Sequence, residues 1–153
     1  HPSIAPFEAF KTKDSYIIIA AGNDKLFSKL CDVLKISEIT NDERFNTNSL
    51  RCENMDQLKE IFEEKLKLKS TDEWVKEMEE LKIPCGPIFN IKQAVENPQI
   101  KERNMIIKSY HKVIGEFKSA GNPIKMSTYK DEETRGDIPD LDEHREKIIK
   151  EFS

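Results

Sequence analysis

The side chains that could do chemistry in this chain are few and scattered. The three cysteines lie far apart and form no C-x-x-C pair, which argues against a disulfide framework or a structural zinc site: Cys31, Cys52 and Cys85. Free cysteines are usually small buried hydrophobic residues. The three histidines are equally dispersed, so no helix carries an H-x-x-x-H metal pair: His1, His111 and His144. We therefore expect no metal site.

Acidic side chains offer no better candidates. Neighbouring carboxylates occur at Glu63-Glu64, Glu79-Glu80 and residues 131–133, all in charged, lysine-rich surroundings. Catalytic carboxylate pairs need an environment that separates their pKa values, and solvated helix faces or loops do not supply one. The chain also lacks G-x-G-x-x-G, a P-loop and G-x-S-x-G, and its five glycines are isolated. Residue patterns alone predict no catalytic residue.

Composition narrows the class of protein. The chain has 153 residues, with 25 Lys and Arg against 29 Asp and Glu, which gives a net charge of −4. Such a chain has no positive field for phosphate backbones, so we do not expect a nucleic-acid partner. Its longest apolar run, residues 16–21, is strand-sized and falls short of the ~18 residues that a membrane span requires. We expect a soluble, cytoplasmic protein, or a mitochondrial one in a eukaryote.

Hydrophobic periodicity predicts both strands and helices in the first two thirds of the chain. Residues 7–21 read as a hairpin whose second strand is buried on both faces, because its apolar run is continuous. Asn23 is placed to cap a helix. Residues 40–54 form a polar stretch, and a further helix is predicted after Asn54. Ser70 and Glu73 form a capping box for the next one.

In the remaining sequence, residues that interrupt helices and strands alternate with short secondary-structure elements. Two prolines and a glycine in residues 83–87 impose a bend ahead of an extended piece at 88–89. Short helices are expected after Asn90 and Asn97, and a second hairpin around Gly115. Residues 129–140 read as a linker and 142–152 as a helix. The predicted fold class is α+β: a small mixed or antiparallel sheet with several short helices, then an extended linker and a terminal helix.

Six stretches together resemble a known family. They are PSIAPFEAFKTKDSYIIIA from Pro2, GNDKLF from Gly22, ERFNTN with RCEN from Glu43, IPCGPI from Ile83, GNPIKMS from Gly121 and LDEH from Leu141. In this order and spacing they resemble the second half of class III CoA-transferases, the CaiB/BaiF family. The resemblance spans nearly the whole chain. Within the family, the chain is most similar to succinyl-CoA:glutarate and formyl-CoA transferases.

The resemblance implies that different parts of the enzyme have different roles. Family members have a large Rossmann-like domain that binds coenzyme A and carries a nucleophilic Asp, a small α+β domain, and a C-terminal return segment, and two subunits interlock as a homodimer. The Asp attacks an acyl-CoA thioester and passes CoA to another carboxylate. Residues 1–128 would be the small domain and 129–153 part of the return segment. The fragment alone would lack the nucleophile, bind no cofactor and be inactive; the acyl-CoA thioester would be a substrate of the full-length enzyme.

The resemblance also selects two stretches for attention. The N-terminal loop (His1, Pro2, Ser3 and Ile4) stands where the family has a loop over the active site, although it contains no glycine. The second stretch is a family signature that we expect to be a rigid structural turn with Cys85 packed inside; we call it the Pro84 bend (Pro84, Cys85, Gly86 and Pro87).

Two positions depart from the family pattern. Ser15 stands where glycine is common after Asp14, so we expect strain if its φ is positive, and Asp142 replaces the glycine of the Leu-Gly-Glu-His motif and is expected to cap the last helix.

Two alternative functions stay open from the sequence. One is a fragment of an α-methylacyl-CoA racemase-like enzyme, which moves a proton instead of CoA. The other is a stand-alone interaction module of the same ancestry.

Overall fold

Two apolar strands near the start of the chain pair as the predicted antiparallel hairpin, β1 (Phe7–Lys11) and β2 (Tyr16–Ala20). This is a computed structural model that describes all residues, His1–Ser153. A third strand, β3 (Cys85–Pro87), pairs antiparallel with β2 and completes a sheet of order β1-β2-β3. The extended piece therefore lies within the Pro84 bend, and not at 88–89 as predicted, because β2 supplies hydrogen-bonding partners to residues 85–87.

Strand β2 is buried on one face only, which corrects the sequence prediction. Ile17 and Ile19 are fully buried, whereas Tyr16 and Ile18 are 47% and 41% exposed. Helices of the same unit cover one face of the sheet, and the side chains of successive residues point to opposite faces. The continuous apolar run thus places apolar side chains on an uncovered face.

The helices of this first compact unit, His1–Ile88, follow the capping signals. Asn23 accepts a hydrogen bond from the Leu26 N–H, and Ser70 with Glu73 forms the predicted capping box. Residues 40–54, predicted as a polar stretch, contain the end of a 3₁₀ helix and one short α-helix, whose N-cap Thr47 accepts a hydrogen bond from the Leu50 N–H. The elements are α1 (Asp24–Leu34), a 3₁₀ helix (Ser37–Asn41), α2 (Asn48–Glu53), α3 (Met55–Leu66) and α4 (Thr71–Glu80).

A single hydrophobic core lies between these helices and the sheet. Phe62 of α3 packs with its ring centroid 5.7 Å from that of Phe10 in β1 and 6.3 Å from that of Phe27 in α1. Trp74 of α4 is buried beside them and donates its indole N–H to the Leu66 carbonyl oxygen at 2.7 Å. The hairpin turn is attached to α4, since Asp14 accepts hydrogen bonds from the Thr71 N–H and hydroxyl. Ser15, next to it, does not adopt a positive φ, so the expected strain is absent.

The second compact unit, Phe89–Ser153, is built on another three-stranded sheet. Strands β4 (Ile106–His111) and β5 (Gly115–Ala120) form the predicted second hairpin around Gly115, whose φ of 76° favours glycine. Strand β6 (Thr134–Asp137) runs parallel to β4, which gives the order β5-β4-β6. The elements are α5 (Ile91–Glu96), α6 (Pro98–Glu102), β4 (Ile106–His111), β5 (Gly115–Ala120), β6 (Thr134–Asp137) and α7 (Arg145–Phe152).

Two predictions for this unit were wrong. Residues 129–140 are not wholly a linker: β6 lies within them, because backbone hydrogen bonds to β4 compensate for the lack of apolar side chains. Asp142 does not cap α7, which begins at Arg145 after His144. Asp142 instead adopts a φ of 70°, the conformation that the family's glycine favours, and its carboxylate accepts a hydrogen bond from Arg145.

The α+β class is confirmed, with two small sheets in place of one. The division into a small domain (1–128) and a return segment (129–153) concerns parts of a longer enzyme and stays a prediction. The boundary between the two compact units of this chain falls between Ile88 and Phe89 in sequence.

Candidate functional site

The N-terminal loop is held against the first sheet by its last residues. Ile4 sits over Gly22: a Cβ on Gly22 would lie 2.0 Å from the Ile4 Cγ2 atom, so only glycine leaves room for it. After the loop, the Pro6 carbonyl oxygen accepts a hydrogen bond from the Ala21 N–H at 2.9 Å. Earlier in the loop, the His1 ring stacks on Phe7 with 5.6 Å between the ring centroids.

Two side chains of α2 bind the backbone at the end of this loop. The Asn48 carboxamide accepts a hydrogen bond from the Ala5 N–H at 3.0 Å and donates one to the Ser3 carbonyl oxygen at 2.9 Å. One helical turn later, Arg51 donates from its Nε to the Ala5 carbonyl oxygen at 3.0 Å. Residues three apart share one face of a helix, so α2 presents both side chains to the same segment.

Arg51 is fully buried, and its charge is compensated on every side. Its guanidinium donates to the carbonyl oxygens of Phe45 and Gly22 at 3.1 and 3.4 Å and forms an ion pair with Asp24 at 2.8 Å. It also lies 4.4 Å from the centroid of the Phe27 ring. A buried charge is tolerated only with such partners. Arg51 therefore connects the N-terminal loop to the core.

The Pro84 bend forms the start of the third strand. Gly86 lies opposite Ile18, and Cys85 lies opposite Ile19. The Cys85 thiol is half-buried, and desolvation, followed by the negative charge of Glu79, raises its pKa. A raised pKa disfavours the thiolate, which is the nucleophilic form of cysteine.

The loop and the bend lie at the same end of the first sheet. In the antiparallel order β1-β2-β3, the first and third strands run in the same direction, so the segments that precede them meet the end of β2 together. The Ala20 N–H donates to the Pro84 carbonyl oxygen at 2.9 Å, and the next amide, that of Ala21, donates to Pro6. The fold thus brings together the two stretches that the sequence singled out.

A groove of about 440 Å³ opens beside the loop. Apolar and amide side chains line it, and none of the lining residues is acidic: Ile4, Phe7, Ala20, Gly22, Asn23, Leu26 and Asn48. The groove can accept an apolar or amide-bearing group, but it offers no carboxylate that could attack a thioester.

Sequence reasoning missed the residues that hold the loop. Gly22, Asn48 and Arg51 all lie within the stretches that carry the family resemblance, yet none was proposed as a site residue. The available signal was the spacing of Asn48 and Arg51, which are three residues apart after Thr47, a good helix cap. Because the sequence did not predict helix α2, it did not show that these two side chains share one helix face.

Several carboxylates elsewhere in the chain are engaged in structural contacts. Asp42 is bound by Arg44, which lowers the pKa of its carboxyl to about 2, and hydrogen bonds from Thr71 lower the pKa of Asp14. His111 lies 3.5 Å from Asp140, whose pKa is lowered chiefly by Lys112. Such pairing makes a carboxylate a weaker base and nucleophile.

The structure holds neither a cluster of metal-binding side chains nor a helix that could span a membrane. No group of three or more His, Cys, Asp or Glu side chains is arranged to bind a metal ion. None of the helices combines the length and the apolar character that crossing a membrane requires.

Comparison with known proteins assigns this chain to a family. The sequence profile described as CoA-transferase family III matches residues 1–145. This chain belongs to CoA-transferase family III. The resemblance seen in the sequence is thereby confirmed.

Curated relatives of this family III chain are CoA-transferases of carboxylic acids. It is 38% identical, over its whole length, to the acetyl-CoA:oxalate CoA-transferase of Acetobacter aceti, and 34% identical over 99% of its length to the human succinyl-CoA:glutarate CoA-transferase. It covers 38% and 34% of those proteins, so it spans little more than a third of their length.

A solved structure of the family shares the fold. A CaiB/BaiF family protein from Brucella suis superimposes with a TM-score of 0.78 at 35% sequence identity. The match covers all of the family III chain and 39% of the Brucella protein.

Proposed function

We propose that this chain is the small-domain part of a CoA-transferase that moves CoA from an acyl-CoA thioester to a carboxylic acid. The observation that carries the proposal is the family match over residues 1–145, with curated CoA-transferases aligned along the entire chain. Those relatives are about three times as long, which leaves room for a large domain that binds coenzyme A.

The nucleophile of this reaction is assigned to the large domain. The family resemblance carries this assignment, and it agrees with two carboxylates of this chain: hydrogen bonds lower the pKa values of Asp14 and Asp42, which makes them weaker nucleophiles. The groove beside the N-terminal loop contains no acidic side chain. As the family resemblance implies, the chain alone is expected to be inactive and to bind no cofactor, and coenzyme A thioesters are substrates of the full-length enzyme.

The role of this part is to close the active site. The N-terminal loop (His1, Pro2, Ser3 and Ile4) faces the reacting thioester, and the groove beside it accepts an apolar or amide-bearing portion of a substrate. The Pro84 bend (Pro84, Cys85, Gly86 and Pro87) supports the same end of the sheet as a rigid turn. Closing a site in this way excludes water, which would otherwise hydrolyse activated acyl intermediates.

Partners follow from the same proposal. The first proposed partner is the large domain of the same polypeptide. The second is another subunit, which interlocks with this one to form a homodimer. The uncovered apolar face of the first sheet, which includes Tyr16 and Ile18, supports an assembly larger than this chain. We propose that the enzyme acts in the cytoplasm, or in mitochondria if the source is eukaryotic.

The test uses the full-length gene product and this 153-residue chain side by side. Each is incubated with succinyl-CoA or acetyl-CoA as donor and with glutarate or oxalate as acceptor, and the new thioester is separated and quantified. We expect transfer by the full-length protein and none by the chain alone. Turnover by the isolated chain would overturn the assignment of the nucleophile. Racemisation of a 2-methylacyl-CoA without CoA transfer would overturn the proposed reaction in favour of the racemase-like alternative.

A further inference from the structure

The Asn48 side chain binds the loop backbone on both sides of one residue. Its Oδ1 atom accepts the Ala5 N–H at 3.0 Å, and its Nδ2 atom donates to the Ser3 carbonyl oxygen at 2.9 Å, so that Ile4 lies between the two bonds. The orientation of the amide is set by its partners, since a backbone N–H can only donate and a carbonyl oxygen can only accept. One planar group therefore fixes the positions of Ser3 and Ala5 relative to each other.

The residue between these two bonds is also held by its side chain. Ile4 occupies the space that a side chain at Gly22 would take. Beyond it, the Ala5 carbonyl oxygen is bound by the fully buried Arg51. The loop thus meets three separate restraints within three residues, although its own sequence contains no regular secondary structure.

The helix that carries Asn48 is itself firmly placed. Arg51, three residues later, connects α2 to the Phe45 carbonyl oxygen and to Asp24 at the start of α1. A side chain anchored on such an element can hold a loop to a defined geometry, whereas one on another loop would move with it.

We propose that Asn48 is a positioning residue for the CoA-transfer reaction, and this inference rests on the function proposed above. By bonding Ser3 and Ala5 it presets the conformation of the N-terminal loop before the substrate binds. A preset loop saves the conformational entropy that a flexible one would lose in the transition state.

The test compares three variants of the full-length gene product. Asn48→Asp keeps the acceptor for the Ala5 N–H but places an oxygen against the Ser3 carbonyl, so one bond is exchanged for a repulsion. Asn48→Ala removes both bonds. Asn46→Asp makes the same chemical change at an exposed side chain that forms no hydrogen bond, and serves as the matched control.

Kinetics separate positioning from folding. We expect Asn48→Asp to lower kcat about tenfold or more, since small misplacements of positioned groups are costly. KM for the acyl-CoA should stay nearly unchanged, because CoA binding is assigned to the large domain. The thermal midpoint should stay close to that of the wild type, since a carboxylate in the first turn of a helix is favourable. Equal kcat values for Asn48→Asp and Asn46→Asp would overturn the proposal.

A second measurement distinguishes this inference from the proposed function. Hydrogen exchange of the Ala5 amide is followed in the wild type and in Asn48→Ala and Asn48→Asp. We expect faster exchange in the alanine variant and wild-type protection in the aspartate variant. Unchanged exchange in Asn48→Ala would overturn the clamp. An inactive wild type with the expected exchange pattern would overturn the proposed function and leave the clamp in place.

Discussion

Of the buried hydrophobic residues in this chain, all except Ile107 lie in the first unit, His1–Ile88. The second unit, Phe89–Ser153, leaves large apolar side chains in solvent, among them Ile91 and Phe152, each 82% exposed. Its elements are connected by backbone hydrogen bonds and by surface ion pairs such as Arg135 with Asp131. Surface ion pairs contribute little to stability, so the two units differ in what can stabilise them.

This difference indicates which unit of the chain is stabilised by its own packing, without further protein. The first unit contains the N-terminal loop, its clamp and a closed core, so the geometry of the candidate site is set by local packing. The second unit has a regular sheet and a helix, α7, with no buried residue. Its apolar side chains fit the proposal that further protein covers them in the complete enzyme.

The largest expected effect comes from separating the units. Residues 1–88 alone should unfold cooperatively in urea, because they retain the whole core cluster. Residues 89–153 alone should show no cooperative transition, because they bury too little apolar surface. Fluorescence of Trp74, the only tryptophan, reports on the first fragment, and far-UV circular dichroism on the second. A sharp transition in residues 89–153 would abolish the contrast between the units.

Truncation of one phenylalanine in each unit tests the same contrast. Phe62→Ala should lower the free energy of unfolding by about 3–5 kcal/mol, because the residue is fully buried between Phe10 and Phe27. Phe152→Ala should change it by less than about 0.5 kcal/mol, since that side chain is exposed. Urea titrations of the whole chain provide the values, followed by Trp74 fluorescence for Phe62→Ala and by far-UV circular dichroism for Phe152→Ala. Similar losses in the two variants would mean that α7 is packed in solution.

Matched helix caps give a smaller and more local comparison. Ser70 caps α4 in the first unit, and Asn90 caps α5 in the second, each in a capping box with the residue three positions later. Ser70→Ala should lower the stability measured by Trp74 fluorescence by about 1 kcal/mol. Asn90→Ala should leave that transition unchanged and lower only the helical signal. If both variants shift the Trp74 transition equally, the units unfold as one.

The smallest expected effect is a pH dependence at the hairpin turn. Hydrogen bonds from Thr71 lower the pKa of Asp14 in the folded state, so its stabilising contribution is present above the unfolded pKa and is lost as the pH falls through the folded one. The stability difference between the wild type and Asp14→Asn should therefore shrink from about pH 6 to about pH 3. Asp140→Asn, in the second unit, is the control and should produce no such change in the Trp74 transition. A difference that does not vary with pH would show that Asp14 acts without its charge.

The local signals were enough to predict where several helices begin and where the two hairpins lie. The caps at Asn23, Ser70 and Asn90 and the hairpin around Gly115 are confirmed, because each depends on residues within a few positions of one another. The family was also recognisable, since six short stretches in a fixed order are specific even when each one is weak.

What failed were predictions that depend on distant parts of the chain. The one-sided burial of β2 depends on which sheet face the helices cover, and the strand at Thr134–Asp137 depends on an edge that β4 offers. The candidate site shows the same limit: the loop was selected by its place in the family pattern, but Asn48 and Arg51, more than forty residues away in sequence, were not.

Sequence by itself thus determined the family, the α+β class and the capped helices, because periodicity and caps act over one or two turns. Tertiary structure alone decided which residues hold the N-terminal loop and which apolar side chains stay exposed. The physical reason is that backbone groups in a loop take their hydrogen-bond partners from whatever the fold places beside them, and no local pattern records that choice.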